Sequence, residues 1–243
     1  MEIDSLFEYD RLGRTHWWLT SKYSILHDLL CKQIPRGTCL TPMLDVGCAS
    51  GIFLEEIRDL VPQQFGIDYN YEILAHCRDS SVSRAVANAQ QLPYRDGSFA
   101  LVSAIDILEH LDDDAPSLCE FYRLLQPGGW LLLCVPAFMA LFGKHDELFG
   151  HYRRYTRRYL QKRLCTVGFS IRKTTYIQPL FFFPLWIKRR FLPVEDDSLG
   201  DFSPLNPLLN QIFHTFLSME RFLLRYISFP IGATLILLAY KDN

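Results

Sequence analysis

Leu44-Asp45-Val46-Gly47-Cys48-Ala49-Ser50-Gly51 is the stretch around which the chain is organised. Thr41-Pro42-Met43-Leu44-Asp45-Val46 reads as a short buried strand opening after a proline. Gly47 to Gly51 turns tightly, and Ile52 to Leu60 reads as a helix. Gly47 lets the backbone bend where a Cβ would clash, and lets a ligand lie on the main chain. The helix that follows begins with unpaired N–H groups. Dinucleotide-binding turns of this kind carry G-x-G-x-x-G. Here Ala49 stands where the second glycine belongs, which disfavours a nicotinamide-linked oxidoreductase.

The rest of the composition narrows the field. The chain has 243 residues, 49% apolar and 21% charged, with a formal net charge of −2. These values fit an ordinary globular α/β chain and argue against nucleic acid as a partner. Seven cysteines contain no C-x-x-C pair, so reduced thiols are expected rather than a disulfide framework or zinc ribbon. No His/Cys/Asp cluster has metal-ligand spacing, and no metal is expected. The first residues, MEIDSLFEYDR, are acidic and lack the apolar run of a secretory signal. The longest apolar runs, Tyr176 to Ile187 and Phe229 to Tyr240, are too short to span a bilayer. A cytoplasmic chain is expected.

Further motifs follow in order. The strand Gln64-Phe65-Gly66-Ile67 ends in Asp68-Tyr69, one helix and one strand beyond the glycine turn. An acid at that tip lies beside the turn in a doubly wound sheet and can accept both ribose hydroxyl hydrogens. Asp68 or Asn70 can also cap the helix that starts at Tyr71. A third strand is expected near Arg84 to Ala87, followed by Asn88-Ala89-Gln90-Gln91-Leu92-Pro93-Tyr94-Arg95-Asp96-Gly97-Ser98-Phe99, which Pro93 and Asp96-Gly97 mark as a loop. The strand Ala100 to Ile105 runs into Asp106-Ile107-Leu108-Glu109-His110-Leu111. The helix Ser117 to Leu125 stops at Leu125-Gln126-Pro127-Gly128-Gly129, before a buried strand Trp130 to Pro136.

Together these motifs, over about residues 41–137, resemble the class I S-adenosylmethionine-dependent methyltransferases. In that family an acid precedes G-x-x-x-G, a D-A-x-x-L-P-F segment holds the adenine, and L-x-P-G-G precedes an apolar strand. The resemblance implies a doubly wound, mostly parallel, seven-stranded Rossmann-like sheet of order 3-2-1-4-5-7-6. It also implies a cofactor, S-adenosyl-L-methionine, held by Asp45, Gly47, Cys48, Gly51, Asp68, Tyr69, Asn88, Ala89, Ile105 and Asp106. Asn88 replaces the family's acid, and its amide still offers the adenine edge a donor and an acceptor. Asp106 is placed to face the methionine ammonium or to begin the next turn as a cap.

Two segments outside this core resemble one methyltransferase sub-group. His16-Trp17-Trp18, followed by Lys22, resembles an H-W-W-x-x-x-R lead-in, with lysine where the group has arginine. Residues 1–40 are read as a helical arm. Its tryptophans either pack the arm down or cover the cofactor, Trp17 being the candidate lid because an aromatic face attracts a sulfonium. Pro136 to Tyr155 resembles the sub-group's segment containing H-D…G-H-x-R-R-Y. Residues 138–178 are therefore expected on the acceptor side, 179–228 as a helical insertion, and 229–243 as the last strand.

Methyl transfer needs no covalent enzyme intermediate. A hydroxyl acceptor needs a base nearby. His145 and His151 are the catalytic candidates, His145 preferred, with Asp146 available to orient one of them. Leu148 to Val194 holds no Asp or Glu but many bases, so Arg153, Arg154 and Tyr155 are the candidate contacts to an anionic acceptor. The aromatic-basic run 179–190 suits a lipid-linked acceptor, a membrane surface, an acceptor pocket or a dimer face. The expected function is O-methylation of a small or lipid- or sugar-linked acceptor. The alternative is a cofactor-binding but inactive partner, for which Asn88 and Lys22 speak.

Overall fold

The computed structural model describes residues 11–76, 81–191 and 206–242. Its strands are β1 (Met43–Val46), β2 (Gln64–Asp68), β3 (Ser83–Val86), β4 (Phe99–Ile105), β5 (Leu125–Pro136), β6 (Phe169–Ile177) and β7 (Thr234–Lys241). They form one sheet of order β3-β2-β1-β4-β5-β7-β6, the order that the resemblance implied. All pairings are parallel except those of β7, which runs antiparallel to both β5 and β6. The carboxyl ends of β1, β2, β4, β5 and β6 therefore open on one edge.

Alternation in the central strands builds two apolar layers. Leu131, Leu133 and Val135 of β5 join Val102 and Ala104 of β4 and Leu235 and Leu237 of β7 on one face. Trp130, Leu132 and Cys134 join Leu101, Ile105, Ile236 and Leu238 on the other. Both faces are buried, as a parallel sheet requires, so these strands read as continuous apolar runs. Helices α4 (Ala115–Leu124) and α6 (Arg157–Val167) cover the first face through Leu118, Phe121, Leu160 and Leu164. Helices α1 (Trp17–Gln33) and α2 (Ile52–Glu56) cover the second through Ile25, Leu26, Leu29, Phe53 and Leu54.

Boundaries shift in two informative places. The helix expected over Ile52 to Leu60 keeps its regular form only to Glu56; the N–H groups of Arg58 and Leu60 then bond three residues back in a tightened turn. The Pro-Gly-Gly segment lies within β5 rather than before it. Phe99 pairs with Leu125 while Leu101 pairs with Trp130, so Gln126 to Gly129 bulge out of the ladder. Among the described residues, the segment before β7 holds the helices α7 (Pro179–Phe191) and α8 (Pro207–Leu223). Between the core and the insertion lie α3 (Tyr71–Ala75), after β2, and α5 (Lys144–Leu148), after β5.

Candidate active site

The glycine turn and the tip of β2 are adjacent. The N–H groups of Gly47 and Cys48 both donate to Ile67 O, at 2.8 and 2.9 Å. The Asp68 carboxylate accepts from Ala49 N–H at 3.0 Å and from Asn70 N–H at 2.9 Å. Asn70, not Asp68, caps α3 through its own side chain. Burial raises the Asp68 pKa, while the N–H donors of Asn70, Ala49 and Tyr69 pull it back down. Tyr69 beside it is 82% exposed and presents an open aromatic face at the rim.

Backbone geometry explains the residues of the turn. Gly47 sits at φ 75°, and a Cβ there would lie 1.9 Å from Ile107 Cδ1. Ala49, at φ 45°, holds a left-handed conformation without being glycine. Its bond to Asp68 offsets part of that strain. Gly51, at φ 85°, opens α2.

Above the turn is a narrow cleft with about 50 Å³ of open space. Asp45, Gly47, Cys48 and Ile105 line it, as does Tyr23 from the arm. Asp45 is buried, accepts from Ser103 Oγ, and is pushed up by burial to about 7. Asn88 and Ala89 follow β3, next to Asp68, where Ala87 N–H donates to Asp68 O at 3.0 Å. The Asn88 side-chain oxygen accepts from Gln90 N–H at 2.9 Å and shapes that loop.

Several candidates lie elsewhere than expected. Trp17 does not line the cleft. It is buried against Phe181 of α7 and Phe213 of α8, with ring centroids 4.6 and 4.9 Å away, and its backbone N–H donates to Asn210 Oδ1. It fastens the arm to the insertion because an indole gains most from full burial among other rings. The arm reaches the cleft with another aromatic, Tyr23. Lys22 is buried and its ammonium pairs with Asp106, so the carboxylate contact is made by a point charge where arginine would fork.

Arg154 is buried and donates to Asp146 Oδ1 at 2.8 Å, so it braces the loop instead of meeting an acceptor. Tyr155 is fully buried; its hydroxyl donates within a pair formed with Asp114 at 2.9 Å and Leu108 O at 3.0 Å. It belongs to the core beneath the site, far from solvent. Arg153 is half-buried at the rim and donates to Asp112 O.

Asp146 is the hub of the acceptor side. Its carboxylate accepts from Gly143 N–H (2.9 Å), His151 Nδ1 (2.8 Å), Arg154 Nε (2.8 Å) and Arg189 of α7 (3.1 Å). Burial alone would raise its pKa, but His151 and the two guanidiniums together hold it well below the ordinary carboxylate range. Asp146 therefore orients His151 and not His145. His145 lies half-buried against Phe149, with centroids 4.4 Å apart, and its ring centroid is 6.2 Å from that of His151. Tyr152 N–H donates to Glu109 O at 2.8 Å and ties this loop to the turn after β4. Lys22, Glu109 and Arg189 were not among the expected site residues; Lys22 stands in the H-W-W lead-in, but its contact with Asp106, like the contacts of Glu109 and Arg189, is made through tertiary packing.

The comparisons agree with this geometry. Residues 44–133 match a family described as a methyltransferase domain. The fold is that of the class I methyltransferases. The chain is 28% identical over 152 residues to a probable S-adenosylmethionine-dependent methyltransferase of Mycolicibacterium smegmatis, covering 61% of this chain and 59% of that protein. It is 28% identical over 138 residues to the ubiquinone biosynthesis O-methyltransferase of Pseudomonas paraeruginosa, covering 52% and 60%. The chain thus spans about 60% of the length of these curated relatives. A solved complex of the Haloferax volcanii Trm112 methyltransferase activator with a putative methyltransferase contains a similar chain, with TM-score 0.61 and 18% identity, covering 96% of this chain and 93% of that one. The name of the first relative gives S-adenosylmethionine as what that protein depends on. Among the described residues no helix is long and apolar enough to cross a membrane.

Proposed function

We propose that this chain transfers the methyl group of S-adenosylmethionine to an oxygen of a small or lipid- or sugar-linked acceptor. The observation that carries the reading is the juxtaposition of the Gly47 turn with the Asp68 carboxylate on one sheet edge. Asp68 accepts the ribose hydroxyls, Tyr69 and the loop at Asn88-Ala89 meet the adenine, and Gly47 lets the methionine end approach the backbone. The reaction is an in-line displacement. The acceptor oxygen must stand about 3 Å from the methyl carbon, collinear with sulfur. On the acceptor side, His151 is held by Asp146 through Nδ1, so Nε2 is the nitrogen that can take the hydroxyl proton. His145 remains the second candidate.

The His16-Trp17-Trp18 and His145-Asp146…His151…Arg153-Arg154-Tyr155 segments support membership of the sub-group they resemble. A lipid-linked acceptor is supported by the insertion. Leu180, Phe183 and Ile187 of α7 and Leu208, Ile212, Phe216 and Met219 of α8 are exposed. Such a face suits peripheral contact with a cytoplasmic membrane surface, where Arg153 would meet an anionic group. The name of the Pseudomonas relative favours oxygen as the methylated atom. The test is calorimetry with S-adenosylmethionine against NAD, followed by release of S-adenosylhomocysteine with a panel of phenolic, sugar and polyprenyl acceptors. Binding of NAD in preference to S-adenosylmethionine would overturn the reading.

A further inference from the structure

Glu109 is completely buried, yet neither carboxylate oxygen has a hydrogen-bond partner. A buried carboxyl left this way is costly, and native folds rarely keep one without a use. What surrounds it is specific. His110 follows it on the same turn, and His151 arrives from the loop after β5. One ligand-capable atom from each of these three residues lies within 4.8 Å of the others. The two imidazoles meet edge to face with centroids 4.6 Å apart. The bond from Tyr152 N–H to Glu109 O locks the two segments together.

The outer contacts are also in place. Asp146 takes Nδ1 of His151, which fixes the tautomer and leaves Nε2 as the ligand atom. Asp146 is itself pinned by Arg154 and Arg189. A carboxylate behind an imidazole is the usual support of a metal-bound histidine. Two imidazoles and one carboxylate, with a position left for an exogenous oxygen, form the donor set of an open zinc site. Magnesium, which prefers oxygen ligands and keeps its waters, fits poorly.

We propose that Glu109, His110 and His151 bind one divalent transition-metal ion, zinc fitting best, at the acceptor side of the crevice. The ion supplies the partner that the Glu109 oxygens lack. Sequence spacing hid the site, because the Glu109-His110 pair and His151 lie on different loops joined only by the fold.

One consequence rests on the methyl-transfer reading; the binding itself does not. An acceptor hydroxyl in the open position loses its proton to solvent, because the ion lowers its pKa. The acceptor oxygen then forms the O–CH3 bond as the C–S bond breaks, and that electron pair stays on sulfur as a neutral thioether. His151 would then hold the metal and leave proton removal to solvent.

The test uses the full chain, stripped with a chelator and titrated with zinc and with cobalt(II). The expected result is one equivalent bound, an imidazole–carboxylate cobalt spectrum, and no competition from magnesium. His110→Ala changes an exposed side chain and leaves the fold intact, while Glu109→Gln preserves shape. Each, like His151→Ala, should weaken binding at least tenfold, and Asp146→Asn by roughly 10- to 100-fold. Substoichiometric binding overturns the proposal, and so does a thiolate spectrum that His110→Ala leaves unchanged. S-adenosylmethionine affinity is measured on the same samples. A chain that binds S-adenosylmethionine but no cation overturns this inference alone. A chain that binds the cation but not S-adenosylmethionine overturns the methyl-transfer reading alone.

Discussion

Replacing Asp68 by alanine should remove the grip on the ribose. Its two oxygens accept from Ala49 N–H at 3.0 Å and Asn70 N–H at 2.9 Å, which fixes the carboxylate beside the glycine turn. A hydrogen bond to a charged group contributes about 1.5–3 kcal/mol. Two ribose hydroxyls on one carboxylate therefore contribute about 3–6 kcal/mol, or a Kd raised roughly 10²- to 10⁴-fold. Part of the loss comes from Ala49, whose left-handed φ of 45° loses its tether. Asp68→Asn separates the two effects: it keeps the shape and one acceptor oxygen, so its Kd should rise only about 10- to 100-fold. Isothermal titration with S-adenosylmethionine measures both variants, and thermal unfolding checks the fold. An Asp68→Ala protein that unfolds at the parental temperature and binds within twofold of the parent would refute the ribose assignment.

Other expectations follow from the same coordinates. Gly47→Ala puts a Cβ 1.9 Å from Ile107 Cδ1 at φ 75°, so it should lose about 1–3 kcal/mol of stability and most cofactor binding; adding Ile107→Ala should restore part of the stability, and no restoration would place the strain elsewhere. Arg154→Ala removes a buried partner of Asp146 and should cost about 3 kcal/mol in denaturant unfolding. Arg153→Ala, at the rim, should stay within about 0.5 kcal/mol and instead raise the acceptor KM; the reverse pattern would reassign the pair. Burial pushes Asp45 up to about 7 in the folded chain against 3.8 for an unperturbed aspartate, so the folded state binds more protons between those values and stability falls as pH rises through that window. Asp45→Asn should flatten the stability loss between about pH 5 and 8 by roughly 2.5 kcal/mol, and an unchanged slope would assign the effect to other groups, Glu220 first, which burial also pushes up to about 7.

Much of the cofactor side was legible because its signals are local. Gly47, Gly51 and Asp68 each stand next to the strand end that positions them, and β1, β2 and β4 announce themselves as short apolar runs. The acceptor side was legible as a set of residue types and not as a set of contacts. His145 and His151 are equivalent by chemistry, and the choice between them depends on which way the Asp146 carboxylate turns. Arg154 and Tyr155 follow Arg153 directly, yet the chain sends them inward, where a guanidinium can neutralise Asp146 and a phenol can reach Asp114. The departure at Lys22, which favoured an inactive chain, loses weight because the ammonium still reaches Asp106.

The glycine turn and the acid after the second strand were written in the residues themselves, since backbone bending, apolar periodicity and helix capping act over a few positions; the strand order came from the family resemblance. Where Trp17 packs, which histidine Asp146 holds, and why Glu109 is buried without a protein partner were settled by tertiary structure. Those contacts join the arm, the turn after β4, the loop after β5 and α7, and long-range electrostatic pairing has no period that a linear sequence can display.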